Sequence, residues 1–285
     1  MKLALQIGLC PGKSVTEKAK WARDRGVEGI ELGIWGNTPK TLREQAEQVH
    51  PIVPVVSVCG NMNPEGGRGF DFLDPDAGKR RASIDGSKCV LEICGDFGAS
   101  GQIVPPIFGG PVVPDLSPWK TALEIEEQLM LAACEELGAF AAERKTSFML
   151  EPLNRYEQHY LRKQSDAVRV IKKIKDKKAR RGVGLLSDFF HMHIEETSTP
   201  EAFKECGKYT THVHLADNTR QEPGTGDIDF VPALAELARH KFKGYMAYEC
   251  GISGAGNAKK HASALSKSLD YMRENIRKAQ SAARD

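Results

Sequence analysis

Four side chains able to hold a divalent cation stand at the ends of short apolar runs in the second half of the chain. Glu151 closes SFML, Asp188 closes GVGLLS, His214 follows THV, and Glu249 closes YMAY. A single acidic residue in such a place is commonly a helix cap or a loop contact. Four from successive runs can instead converge on one point. Two Glu, one Asp and one His form an oxygen-rich set with one imidazole, which suits Mn²⁺, Mg²⁺ or Co²⁺ better than a structural zinc site. His212 shares a strand face with His214, so spacing alone leaves the imidazole ligand open between them. Cys10 and Cys59 also fall at strand ends. No His or Asp spacing marks either as a nucleophile, and they read as small packing residues.

These residues need strands to carry them. Strands are predicted at Leu3–Ile7, Val27–Leu32, Val53–Val58, Gln102–Val104, Ser147–Glu151, Gly182–Asp188, His212–Leu215 and Met246–Glu249. Helical periodicity fills the gaps at Ser14–Arg25, Thr38–Val49, Gly78–Ile93, Thr121–Glu143, Ser165–Lys177, Pro200–Gly207, Val231–His240 and Asn257–Lys278. Ser14, Thr38 and Asn257 are candidate N-caps, and Ser14 with Glu17 fits a capping box. Eight strand–helix alternations predict an α/β fold, a (β/α)₈ TIM barrel forming a single domain over residues 1–285. Barrel enzymes place catalysis at the C-terminal ends of the strands, where all four candidate ligands lie. Two long segments follow strands three and four, residues 61–76 and 105–118, and are expected on that same face.

Composition narrows the function. The chain has 285 residues, 40 Lys+Arg against 38 Asp+Glu, and 40% hydrophobic residues. A formal charge of +2 gives no overall footprint for nucleic acid, and no run approaches the roughly 18 apolar residues of a membrane helix. The expectation is no nucleic acid and no membrane. Seven cysteines without a CxxC pair suggest reduced thiols, and MKLALQIGLC reads as a first strand and not an export signal, so the expected location is cytoplasmic. The basic run Lys175–Arg181 reads as a solvated helix end or loop.

The motifs EPLNRYE (151–157), DFFHMHIEE (188–196), HVHLADNTR (212–220), PGTGDIDF (223–230) and the pair Tyr248-Glu249 resemble the xylose isomerase-like sugar isomerase/epimerase family. Within it they are most similar to the ketose 3-epimerases of the tagatose and allulose type. The resemblance implies one divalent ion, Mn²⁺ before Mg²⁺, Co²⁺ or Zn²⁺, held by Glu151, Asp188, His214 and Glu249. It favours His214 over His212 as the imidazole ligand. It makes Glu151 and Glu249 the catalytic acid and base on opposite faces of a ketose or ketose phosphate, and Glu157, His191 and Arg220 the substrate-binding residues. A proton beside a ketone is too weakly acidic to leave unaided at neutral pH. A Lewis acid at the carbonyl stabilises the enediolate, and two flanking carboxylates can remove and return the proton. The expected partner is a small-molecule sugar; a homodimer and a homotetramer both remain open.

Other residues carry weaker signals. Glu31 could reach substrate or brace the barrel mouth. Trp35 and Phe108 could stack on a sugar or pack in a core or lid. Asn154 and Arg155 are expected to brace the fifth loop, Asp227 and Asp229 the loop after strand seven, and Glu195 and Glu196 to form a solvated pair. His193 is placed just outside the ligand set. The Gly-rich stretch 251–257, with Lys259 and Lys260, leans towards a phosphorylated or otherwise acidic substrate. Alternatives using the same metal are a hydroxypyruvate isomerase-like enzyme and a keto-glycoside lyase. An AP-endonuclease-type nuclease fits less well. No His ends the second strand, His50 precedes the third, and the place for Asp-x-His reads Asp227-Ile-Asp229.

Overall fold

A computed structural model of the protein describes residues 1–69 and 71–284. Eight strands close a parallel barrel in chain order: β1 (Lys2–Gln6), β2 (Gly29–Gly33), β3 (Val55–Cys59), β4 (Gly101–Val104), β5 (Ser147–Leu150), β6 (Val183–Asp188), β7 (Thr210–Leu215) and β8 (Tyr245–Tyr248). Around them lie α1 (Val15–Asp24), α2 (Pro39–Val49), α3 (Ala77–Asp96), α4 (Ala122–Glu143), α5 (Gln164–Lys173), α6 (Lys177–Arg181), α7 (Phe189–Glu195), α8 (Thr199–Cys206), α9 (Phe230–Arg239) and α10 (Ala258–Ala282). β1 and β8 pair from Lys2 opposite Tyr245 to Leu5 opposite Tyr248, which closes the ring.

The strands are buried on both faces, which is why they read as apolar runs without polar alternation. Successive side chains still alternate between the barrel axis and the helices. Phe148, Leu150, Leu185, Val213, Leu215, Met246 and Tyr248 pack outward in the two large cores beneath the helices. Cys59, Ile103, Met149 and Leu186 form a plug inside the barrel. Two residues beyond Met149 and Leu186 in the same inward rows come Glu151 and Asp188. The alternation therefore aims the polar strand ends at the axis.

The helix starts follow ordinary capping chemistry. Ser14, Thr38 and Asn257 accept backbone N–H bonds from Glu17, Thr41 and Lys260. The Ser14–Glu17 box is only half formed, because the Glu17 carboxylate turns to the Lys13 N–H at 2.8 Å. The predicted fifth helix ends early, and Lys175–Arg181 contains a separate short helix, α6, whose Lys178 pairs with Glu143 at 2.5 Å.

Candidate active site

Glu151, Asp188, His214 and Glu249 each offer a ligand atom, and these atoms lie within 4.8 Å of one another at the C-terminal mouth of the barrel. Asp188 is buried and divides its work. Its Oδ1 accepts from the Phe190 and His191 N–H groups to cap α7, while Oδ2 faces the cluster. The register sets Asp188 beside His214. His214 Nε2 donates to Glu31, 3.0 and 3.2 Å from its two oxygens. That leaves Nδ1 facing Glu249 (2.9 Å), Glu151 (3.4 Å) and Asp188 (3.8 Å), the nitrogen a neutral ring would offer to a cation. His212 is turned away from this cluster, with Nε2 on Glu31 at 3.1 Å and near Ser57.

The donor set fits a divalent cation. Buried polar atoms normally find partners, yet His214 Nδ1 and Glu151 Oε1 have no hydrogen-bond partner. Both aim into a group of three carboxylates. Burial, with Glu249 and Asp188 beside it, pushes the Glu151 carboxyl up to about 7 against the pull of His214. Against burial, which would lower it, Glu249 and Glu31 raise His214 well above the ordinary imidazole value. Both shifts report the crowding of carboxylates here, which a bound cation would relieve.

Arg220 stands at the edge of the cluster in a left-handed backbone conformation, φ 58°. Its guanidinium donates to Asp188 Oδ2 at 2.6 Å and Glu249 Oε2 at 2.5 Å, and lies 4.8 Å over the Phe190 ring. The structure therefore sets Arg220 on two candidate ligands as well as at the cavity wall. The other Glu249 oxygen accepts from Gln6 Nε2 at 3.0 Å and faces the Cys59 thiol at 3.5 Å. Burial raises that thiol's pKa well above its usual value, as do the surrounding carboxylates, so Cys59 is a neutral neighbour and not a nucleophile.

His191 is held by the fifth loop. Asn154 donates its backbone N–H (3.3 Å) and side-chain amide (2.9 Å) to Nδ1. The proton then sits on Nε2, on the side facing Asp188. Burial lowers the His191 pKa, which favours the neutral ring. Asn154 also donates to Glu157 Oε1 at 2.7 Å, so one amide orients both residues. A cavity of about 200 Å³ opens above the cluster, with Glu151, Glu157, His191, Arg220 and Glu249 in its lining. Asn61, Arg68 and Asp71 from the first long loop and Pro105 and Phe108 from the second complete its walls. Both loops thus lie on the metal-competent face; Phe70, within the first, lies outside the described residues.

A profile of the Xylose isomerase-like TIM barrel family matches residues 19–275. The chain belongs to this family. It is 30% identical over 281 residues to 3-dehydro-D-guloside 4-epimerase of Escherichia coli K12, covering 96% of this chain and 99% of that protein. It is 31% identical to D-psicose 3-epimerase of Ruminiclostridium cellulolyticum over 114 residues, 40% of this chain and 38% of that one. The crystal structure of 3-keto-D-glucoside 4-epimerase from E. coli superposes with a TM-score of 0.79 at 27% identity, over 96% of this chain and 99% of that one. The protein is accordingly an isomerase-class enzyme, a sugar epimerase or isomerase.

The structure decides several residues of the barrel mouth that the sequence left open, and corrects one. Glu31 is fully buried and braces the mouth: it accepts from Gln6, Ser57 and His214. Glu195 is not solvated. It is buried against Arg155, whose Nε donates to it at 2.7 Å, because the fifth loop folds over the end of α7. Glu196 accepts the Gln164 N–H at 2.8 Å. The loop after β7 is organised by Asp217, which accepts from the N–H groups of Asn218, Gly224 and Ile228. Asp229 caps α9, whereas Asp227 is exposed, 3.6 Å from His193. Asp217 carried no spacing signal, since its partners are backbone groups. Gln6 did, as a polar residue ending an apolar inward row.

Lys259 and Lys260 line a different cleft, of about 710 Å³, with Glu222, Ser253 and Tyr271. Its lining shares no residue with that of the cavity over the cluster. The N–H of Ser253 is already taken by Glu222 at 2.9 Å. No helix among the described residues is long and apolar enough to cross a membrane.

Proposed function

We propose that this enzyme epimerises a keto sugar at the carbon beside its carbonyl, with a 3-keto glycoside as the substrate class. The observation that carries the reading is the convergence of Glu151, Asp188, His214 and Glu249 beneath a cavity that both glutamates line. The relative matched from end to end is named for a keto-glycoside, whereas the psicose epimerase matches over less than half of each chain. A ketose phosphate has less support, because the lysines and Gly-rich turn that suggested it lie at a separate cleft.

A divalent cation held by those four residues, Mn²⁺ first, would act as a Lewis acid for the charge developing on the carbonyl oxygen. Glu151 and Glu249 then serve as the two proton-transfer groups. Glu151 lines the cavity as Glu249 does, so both carboxylates reach the space a substrate carbon would occupy. Glu249 is held well below the usual carboxylate range by His214 and Arg220 despite its burial, which suits a group that starts ionised. Removal of the proton by one and its return by the other, from opposite sides of a flat enediolate, inverts the carbon. His191 Nε2–H and the Arg220 guanidinium supply donors to substrate oxygens, and Glu157 an acceptor.

The test is product analysis by NMR. Mn²⁺-loaded enzyme is expected to convert a methyl 3-keto-glycoside into its C4 epimer, and chelation to abolish the conversion. Conversion of free ketoses alone, or release of methanol by elimination, would contradict the reading; the second outcome would establish the lyase chemistry.

A further inference from the structure

Two aromatic side chains in the cavity lining are not used by the proton transfer. Trp35, just beyond β2, is 61% exposed, and Phe108, in the second long loop, is 43% exposed; both line the cavity over the cluster. Neither is core. Trp35 is also seated: a Cβ built on Gly33 would fall 2.2 Å from its Cε3 and 2.3 Å from its Cζ3. The strand end is therefore bare where the indole lies, and a side chain at Gly33 would displace the ring. On Phe108, the Arg68 guanidinium rests 4.7 Å from the ring centroid. An exposed indole on a fitted backbone seat and a second exposed ring in the same cavity lining make two surfaces on which a ring can stack.

Size gives these walls a use. The cavity's volume of about 200 Å³ lies below the ~300 Å³ at which sites for drug-sized ligands begin. A space of that size would take one reacting ring beside the carboxylates and leave a second ring to its open side. We infer that Trp35 and Phe108, with Arg68, form an outer subsite for the aglycone of a keto-glycoside, and that the preferred aglycone is itself a sugar ring. The C–H face of a pyranose suits the indole, and the guanidinium offers donors to its hydroxyl groups. This rests on the keto-glycoside reading above and extends it to the part of the substrate that does not react.

The experiment compares methyl and glucosyl 3-keto-glycosides on the Mn²⁺-loaded enzyme. Wild type is expected to show the lower KM for the glucosyl compound. Trp35→Ala is expected to raise KM for the glucosyl compound about tenfold more than for the methyl compound, with the effect carried by KM and not kcat. Trp35→Phe should recover most of the difference. A binding readout is independent of turnover: an unoxidised glucosyl glycoside should quench a tryptophan signal that Trp35→Phe lacks. Equal losses on the two substrates would overturn the subsite while leaving the keto-glycoside reading intact. Turnover of neither glycoside alongside turnover of free ketoses would remove both. A change of oligomeric state in Trp35→Ala, read by sedimentation, would assign the ring to a contact between copies and also overturn it.

Discussion

His214 shows how much of the site is decided by which nitrogen faces which partner. Glu31 accepts from the Nε2–H group, so Nδ1 is presented to the three carboxylates. Outer partners of this kind commonly contribute ten- to a hundredfold to metal affinity. Glu31→Gln is therefore expected to weaken Mn²⁺ binding by about that factor in titration calorimetry, with the fold intact by circular dichroism. Unchanged affinity would mean that His214 is oriented by its strand alone. Arg220 tests a different contact. Arg220→Ala keeps all four candidate ligands, so metal content should stay near wild type while kcat/KM falls roughly ten- to a thousandfold, about 1.4–4 kcal/mol of transition-state binding. A parallel loss of metal would show that the guanidinium's main work is holding Asp188 and Glu249 in place. At this scale the strand-end residues were legible because each closes an apolar run. Asp217 and the burial of Glu195 were harder to see. Their partners are backbone groups or side chains from distant loops, for which one sequence carries no spacing.

The elements carry these residues through close backbone approaches. Gly86, inside α3, faces the start of the first long loop, and a Cβ there would stand 1.6 Å from the Met62 carbonyl oxygen. Alanine improves helix propensity by about 1 kcal/mol, but a backbone oxygen at that distance has to be displaced. Overpacking of this sort costs about 1–3 kcal/mol, so Gly86→Ala is expected to lower the thermal midpoint. Because neighbouring Asn61 and Arg68 line the cavity, KM should rise as well. A stabilised variant with unchanged KM would show that the loop yields freely. Strand and helix positions were largely readable, since buried parallel strands are short apolar runs separated by helical periodicity. The exceptions were the short helices α6 and α7, and α7 is the one that bears on the site. The segment FFHMHIE begins directly at Asp188, without any linker to separate it from β6, and its inward and outward residues are mostly apolar. It matters for function, because Asp188 caps it and His191 lies in its first turn.

Across the whole molecule, closure of the barrel brings Gln6 at one end of the chain to Glu249 near the other. The site is thus built from strands that meet only when the ring is complete, and a cation that binds the native cluster should stabilise the entire fold. Saturating Mn²⁺ at about a hundred times Kd would contribute about 2.7 kcal/mol. The thermal midpoint should therefore rise in wild type and much less in Asp188→Ala; equal rises would place the cation elsewhere. The eightfold alternation made this topology readable, whereas the choice of substrate depends on loops whose walls no periodicity describes. The most direct measurement is isotope exchange: Mn²⁺-loaded wild type and Glu249→Gln are incubated with a methyl 3-keto-glycoside in D₂O, and deuterium at the carbon beside the carbonyl is followed by NMR. Rapid incorporation at that carbon in wild type, with a collapse in Glu249→Gln that retains its metal, is the expected result. Full exchange in metal-bound Glu249→Gln would contradict the two-carboxylate mechanism.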